Sequence, residues 1–204
     1  MAVPWGTMFR AGLILCAAVV LASCGGTPDA VPTTDGTATT TRPGFLPDRV
    51  AFLQKDPRWG SDRLGKSSDT MASDGCVVTS VAMALGNLGF QTTPGDLNAR
   101  LTRTGNYTPR GWLIWNGVSE VTGGQAQAHY YDTVSDPLIT QCMARGNYPL
   151  VRFILPNGRS HWAMVVGRSE AGYHMRDPLR DSKSPLVFPR RADAFKSLRC
   201  IGRA

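Results

Sequence analysis

Residues 73–86 read SDGCVVTSVAMALG, so that Cys76 stands directly before an apolar run of small residues. Apolar residues recur at positions 78, 81, 82 and 85, a spacing that predicts a buried helix of about ten residues, with Asp74 and Gly86 as its start and stop signals. A thiol in the first helical turn faces the positive end of the helix dipole and unpaired backbone amides, which favour the thiolate. Cys76 is therefore a candidate nucleophile. The alternative is a buried cysteine that packs as a small hydrophobic residue.

The N-terminal residues 1–23 have the pattern of an export signal. Arg10 precedes an apolar stretch from Ala11 to Ala22, which is too short to span a bilayer comfortably. The sequence Leu-Ala-Ser-Cys that ends at Cys24 resembles a bacterial lipobox, in which the cysteine is acylated and becomes the first residue of the mature protein. We therefore expect an exported chain, lipid-anchored through Cys24 at the outer face of the bacterial membrane or envelope. The alternative is an ordinary cleaved signal with an incidental cysteine.

Residues 24–44 are rich in threonine, proline and glycine. They contain too few large apolar residues to offset the entropy of ordering, so the composition predicts a flexible tether. Residues 45–204 then form one domain, and their roughly 160 residues are enough for a hydrophobic core.

The charge pattern argues against nucleic-acid binding, and the motifs argue against a metal or cofactor site. The formal net charge is +7, but the basic residues of the domain are spread without runs, which argues against nucleic-acid binding. A mildly basic surface suits an anionic cell wall or membrane. The sequence has no Cys-x-x-Cys or His-x-x-x-His spacing and no phosphate-binding glycine loop, so we expect neither a metal nor a cofactor.

The periodicity of apolar residues changes along the domain. Helical patterns cover residues 76–86, 93–101, 112–121 and 135–144. Alternating or β-rich runs cover residues 125–131, 148–155, 161–166 and 172–178. This order predicts an α+β fold in which N-terminal helices pack on a C-terminal antiparallel sheet.

The last two runs predict a hairpin that contains a candidate base. If Gly167 pairs with Ala171, His161 lies directly opposite Asp177 and on the same face of the sheet. A carboxylate at that point orients an imidazole and stabilises the imidazolium that pairs with a thiolate. His129 and His174 have no such partner near them in the sequence, and we expect them to be structural or solvated.

Several short motifs occur together in a familiar order, namely Gln54 with residues 56–59 (DPRW), residues 75–83 (GCVVTSVAM), 93–94 (TP), 161–167 (HWAMVVG) and 177–178 (DP). As a set they resemble the papain-like cysteine peptidases related to the bacteriocin-processing, double-glycine-leader peptidases. The resemblance implies the papain-like fold, with Cys76 as nucleophile, His161 as base, Asp177 as the residue that orients it and Gln54 in the oxyanion hole. Gln54 lies 22 positions before Cys76, whereas the processing peptidases have this glutamine only a few residues before their cysteine. Gln54 is alternatively a structural residue of the extended segment that it ends.

These residues lead to a hypothesis of a surface-tethered thiol hydrolase that cleaves a peptide or amide bond through an acyl-enzyme. A peptide or a cell-wall peptide is the expected substrate. The sequence contains no transporter segment, so leader processing is not implied. The NlpC-type wall endopeptidases share the Cys-His chemistry, but their Asp-Cys-Ser surroundings are absent. The alternative function is an envelope binding or adhesion module of the same fold whose catalytic site has decayed.

Two further cysteines, Cys142 and Cys200, remain in the domain. Exposed free thiols tend to oxidise outside the cell, so export predicts a disulfide between them that closes the C-terminal segment onto the helix at residues 135–144. The oligomeric state does not follow from the sequence.

Overall fold

The computed structural model describes residues 42–189 and 191–204. The predicted signal segment, the lipidation site at Cys24 and the tether up to residue 41 lie outside the described residues. Within the described part of the chain, no helix is both long enough and apolar enough to cross a bilayer.

The described residues form five α-helices: α1 (Met71–Asp74), α2 (Cys76–Asn87), α3 (Pro94–Arg103), α4 (Gly117–Val121) and α5 (Asp136–Ala144). The start of α3 follows the sequence signals, because the Thr93 hydroxyl accepts a hydrogen bond from the Asp96 amide while the Asp96 side chain accepts one from the Thr93 amide. Ser135 caps α5 with a single bond, in which its side chain accepts from the Leu138 amide.

The strands are β1 (Ala126–Tyr131), β2 (Tyr148–Ile154), β3 (Ser160–Ser169), β4 (Gly172–Arg176), β5 (Leu186–Phe188) and β6 (Ser197–Arg203). They form a six-stranded sheet in the order β1-β6-β2-β3-β4-β5, and every neighbouring pair is antiparallel. The fold is α+β, with N-terminal helices packed on an antiparallel sheet, as the sequence predicted.

Each face of the sheet is covered by its own hydrophobic cluster. On one face, α2 and α3 bury apolar side chains against Leu150 and Met164. On the other face, Ile139 of α5 packs with Val151 and Val165. Consecutive strand residues such as Met164 and Val165 therefore enter different clusters, because side chains alternate across a sheet.

Three parts of the domain differ from the sequence expectation. The helix predicted over 112–121 spans only Gly117–Val121, because the backbone of residues 112–114 is hydrogen bonded to residues 106–108 instead. The short helix α1, whose N-terminus has a capping box between Thr70 and Ser73, was not predicted. Strands β5 and β6 were not predicted, although β6 lies inside the sheet between β1 and β2.

The predicted disulfide is present. Cys142 of α5 and Cys200 of β6 are joined, with their Cα atoms 6.0 Å apart. Both residues are almost fully buried, so the bond fixes α5 to an interior strand rather than to a loose C-terminal end. Among the described residues this leaves Cys76 as the free cysteine.

Candidate active site

Cys76 opens α2, the twelve-residue helix at the centre of one hydrophobic cluster. The preceding residue, Gly75, is the N-cap of α2, and a Cβ atom there would overlap the backbone carbonyl of Met71. Asp74, which we expected to start this helix, belongs instead to the end of α1. The tight junction of the two helices leaves the Cys76 side chain at the N-terminus of α2, where the helix dipole favours a negative charge.

His161 lies near the start of β3 and is 2% exposed. Its Nε2 atom lies 2.7 Å from Oδ1 of Asp177, and the imidazole interacts with the neighbouring Cys76 side chain, which also raises the pKa of His161. Because Nε2 is engaged by the carboxylate, Nδ1 is the nitrogen available to the thiol. The structure therefore brings Cys76, His161 and Asp177 together in one chain of contacts.

The predicted register of the β3–β4 hairpin is wrong. Ser169 pairs with Gly172 and Met164 pairs with Arg176, so Asp177 continues opposite Ala163 rather than opposite His161. Asp177 is therefore the diagonal neighbour of His161. Diagonal positions still share a face of the sheet, which explains why the two side chains meet although they are not directly opposed.

A β-bulge makes this shared face possible. The register shifts by one residue between Val165 and Gly167, so that Val166 is an extra residue on β3. Without the bulge, Asp177 would lie opposite Met164, on the other face from His161. The first residues of the domain stabilise the bulge, because the Leu46 amide donates to the Val166 carbonyl at 2.7 Å.

The electrostatics of the pair follow from these contacts. Burial alone would lower the pKa of His161, but hydrogen bonds to Asp177 and Cys76 and their negative charges raise it from 6.5 to about 9. Burial alone would raise the pKa of the Asp177 carboxyl, but the hydrogen bond and charge of His161 lower it, helped by the Leu179 amide and Arg180. The environment thus favours a charged His161 imidazolium beside an ionised Asp177 carboxylate at neutral pH.

Two hydrogen bonds hold Gln54 close to Asp177 and Cys76. Its backbone amide donates to the Pro178 carbonyl, next to Asp177, and its side-chain Nε2 donates to the Ala72 carbonyl before Cys76, both at 2.9 Å. Trp59 also holds the backbone next to Gln54, since its indole nitrogen donates to the Leu53 carbonyl at 2.9 Å. Only one of the two Nε2 hydrogens is used by Ala72, so the second can reach a further acceptor.

Gln54, Cys76 and His161 line one open cavity of about 300 Å³. Its walls come from the segment before Trp59, the α1–α2 junction and the turn between β2 and β3. All four predicted catalytic residues therefore belong to one cluster, with Asp177 behind the imidazole.

The comparisons with known proteins bear on this arrangement. No family model matches the sequence, and neither does any curated protein. A solved structure of a candidate C39-like peptidase from Bacillus anthracis is similar, with a TM-score of 0.52 and 14% sequence identity, over 79% of this chain and 98% of that one. The chain has the C39-like peptidase fold. The low identity means that this likeness concerns the fold, while the roles of individual residues depend on the geometry described above.

Sequence reasoning missed two cationic residues beside the candidate site of this C39-like fold. Lys55 and Arg159 line the same cavity as Cys76. Each lies close in sequence to a predicted site residue, which was the signal available: Lys55 follows Gln54, and Arg159 lies two residues before His161.

The other two histidines lie away from the cavity of the C39-like fold. His174 contacts the Ser169 hydroxyl at 2.9 Å and packs edge-on against Phe45. His129 lies on β1, which forms one edge of the sheet. Among residues 42–189 and 191–204, no group of three His, Cys, Asp or Glu residues is arranged to hold a metal ion.

Proposed function

We propose that this chain is a cysteine peptidase-like hydrolase that cleaves a peptide or amide bond through an acyl-enzyme on Cys76. The observation that carries the proposal is that the His161 imidazole, bonded to Asp177, lines the same cavity as Cys76 and interacts with its side chain. A decayed binding module has no use for a buried imidazole held between a thiol and a carboxylate. The peptidase-like fold supports a peptide as the substrate.

The reaction follows from the positions of the groups. The Cys76 thiolate attacks the carbonyl carbon, and the developing oxyanion faces the free Nε2 hydrogen of Gln54 and the Cys76 backbone amide. The His161 imidazolium gives its Nδ1 proton to the leaving amine as the carbon–nitrogen bond breaks. A water molecule then attacks the thioester, losing a proton to Nδ1, and the carboxylic acid leaves as the thiolate re-forms. Asp177 holds the ring throughout by its bond to Nε2.

This mechanism is tested by digesting a peptide library prepared from a whole proteome. The native protein is expected to create new peptide termini, detected by mass spectrometry, and Cys76→Ala is expected to create none because it has no nucleophile. Cleavage that persists in Cys76→Ala would assign the activity to a contaminant. If neither protein cleaves and Cys76 reacts no faster than a model thiol, the chain is a binding module.

We also propose that the domain is held at the outer face of the bacterial envelope by a lipid on Cys24. The lipobox-like sequence and the signal-like segment before it support this proposal. Intact mass spectrometry of membrane-extracted protein is expected to find a chain that starts at an acylated Cys24. Replacing Cys24 by alanine should release the protein from the membrane fraction, with Cys16→Ala as the matched control. A native chain that starts at Met1, or one without a lipid, would contradict this expectation.

A further inference from the structure

We infer that Lys55 and Arg159 form an anion-binding subsite at the mouth of the Cys76 cavity, which selects peptides with a carboxylate close to the scissile bond. The inference rests on the proposed function and specifies its substrate class. The carboxylate can belong to an acidic side chain or to the free C-terminus of the substrate, since both present the same group to a guanidinium.

Arg159 is held rigidly in the turn between β2 and β3. Its backbone amide donates to the Asn157 side chain at 3.1 Å, and its carbonyl accepts from the Leu155 amide at 2.9 Å. From this turn, its Nη2 atom donates to the Ser73 carbonyl and to Oδ1 of Asp74, both at 3.0 Å. The guanidinium therefore connects the turn that precedes His161 to the end of α1, which precedes Cys76.

Most of the hydrogen-bonding capacity of Arg159 remains available. Both of its bonds use Nη2, so Nε and Nη1 donate to none of the described residues, and three of the five guanidinium N–H groups are left. The side chain is 59% exposed and lines the cavity, so an anion in the cavity has access to it. A guanidinium that is already oriented loses little entropy when it binds a carboxylate.

Lys55 supplies a second positive charge to the same cavity. It follows the buried Gln54 directly, and its own side chain is exposed. It forms no ion pair with any residue that the structure describes. Its ammonium group is therefore free to pair with a substrate.

The balance of charge at the mouth favours an anion. Asp74 is the carboxylate among the lining residues, and it is already engaged by Arg159. Asp177 does not line the cavity, and its carboxylate is paired with the His161 imidazole. Lys55 is thus left uncompensated, and a cationic substrate group would meet like charge from both Lys55 and Arg159.

The test uses peptides found to be cleaved in the library experiment. Each is synthesised with Glu, Gln or Lys at the two positions on either side of the scissile bond, and with a C-terminal acid or amide. At 20 mM NaCl, kcat/KM is expected to be about fivefold to tenfold higher for the peptide with the carboxylate than for its neutral analogue. The ratio should fall towards one at 0.5 M NaCl, because exposed charges are screened. The Glu/Gln series tests for binding of a side-chain carboxylate, and the acid/amide series tests for binding of the C-terminal carboxylate.

Variants locate the effect at the two cations. The double variant Lys55→Gln, Arg159→Gln is expected to lose the preference, whereas Arg145→Gln, which removes an exposed charge elsewhere, should keep it. Equal rates for charged and neutral peptides, or a preference that survives in the double variant, would overturn the subsite. In that case the Arg159–Asp74 pair only ties the two turns together.

A binding measurement separates failure of the subsite from failure of catalysis. Fluorescein-labelled hexa-alanine peptides carrying a single Glu, Gln or Lys, each as a C-terminal acid and as an amide, are titrated against Cys76→Ala and followed by anisotropy. If no peptide is hydrolysed but the carboxylate-bearing peptides bind several-fold more tightly in a salt-sensitive way, the proposed hydrolase is wrong and the anion subsite stands. Equal binding of all the peptides overturns the subsite even if hydrolysis is observed.

Discussion

Replacing His161 with alanine is expected to slow the alkylation of Cys76 at pH 6 by on the order of a hundredfold, and to reduce peptide turnover by about a thousandfold or more. A free thiol with a pKa of about 8.5 is only about 0.3% thiolate at pH 6. In the native protein, contacts with the thiol and with Asp177 raise the pKa of His161 to about 9. The imidazolium therefore persists well above pH 6, and in the proposed mechanism it stabilises the Cys76 thiolate.

The alkylation rate of Cys76 should depend on pH differently in the native protein and in His161→Ala. Because the raised pKa of His161 keeps the ring charged below about pH 9, the native rate of iodoacetamide alkylation should be nearly flat between pH 6 and 8. In His161→Ala the rate should rise about tenfold per pH unit over that range, as for an unactivated thiol. Peptide mapping restricts the measurement to Cys76. A native protein whose rate rises as steeply as that of the variant would contradict the thiolate–imidazolium pair.

Two other variants serve as comparisons for the alkylation rate of His161→Ala. His129→Ala removes a histidine on the β1 edge and should behave like the native protein. Asp177→Asn should fall between the native protein and His161→Ala, because the thiol remains but the carboxylate that favours the imidazolium is gone. This order of rates is specific to a carboxylate that acts through the imidazole.

Replacing Gln54 with alanine is expected to lower kcat by on the order of a hundredfold and to leave the alkylation of Cys76 at pH 6 nearly unchanged. An oxyanion donor acts only when negative charge develops on the substrate carbonyl, so the resting thiolate should not sense its loss. The structure supports this role, because one Nε2 hydrogen is held by the Ala72 carbonyl and the other is left for a substrate. Peptide kinetics and alkylation rates, measured on the same preparation, provide the two readouts.

A purely structural role for Gln54 predicts a different pattern. Gln54 is 2% exposed and ties the segment after Asp177 to the turn before Cys76. If that bridging is its only contribution, Gln54→Ala should lower the melting temperature and slow alkylation and turnover together. Gln91→Ala, an exposed glutamine between α2 and α3, is the control for a neutral substitution. A parallel loss of both activities would contradict the oxyanion role.

The helices that position the site could be predicted because their signals are local. The periodic run after Cys76 and the Thr93-Pro94 start of α3 each specify a helix within a few residues. The prediction failed at residues 112–114, where three apolar residues in succession suggested a helix. There the backbone groups are bonded to residues 106–108, a partner that periodicity within one segment cannot show.

The strands were harder to predict than the helices, because their hydrogen-bond partners also lie in other segments of the chain. β6 lies between β1 and β2 in the sheet, although it is the last element of the chain. Its four buried residues do not alternate strictly with exposed ones, so the periodic signal is weak, and its place depends on pairing with strands far away in sequence. β5 has only three residues and pairs only with β4 among the described strands.

The sequence by itself determined the α+β order of elements, the position of Cys76 at the start of a buried helix and the pairing of Cys142 with Cys200. These depend on residue type, local periodicity and the small number of cysteines. Only the tertiary structure decided how the other site residues meet. The extra residue Val166 in β3 brings Asp177 to the face of His161, and the Ala72 and Pro178 carbonyls draw Gln54 to Cys76 across 22 positions. The physical reason is that β-sheet register and loop docking are set by hydrogen bonds between distant segments, and a shift of one residue exchanges the two faces of a strand.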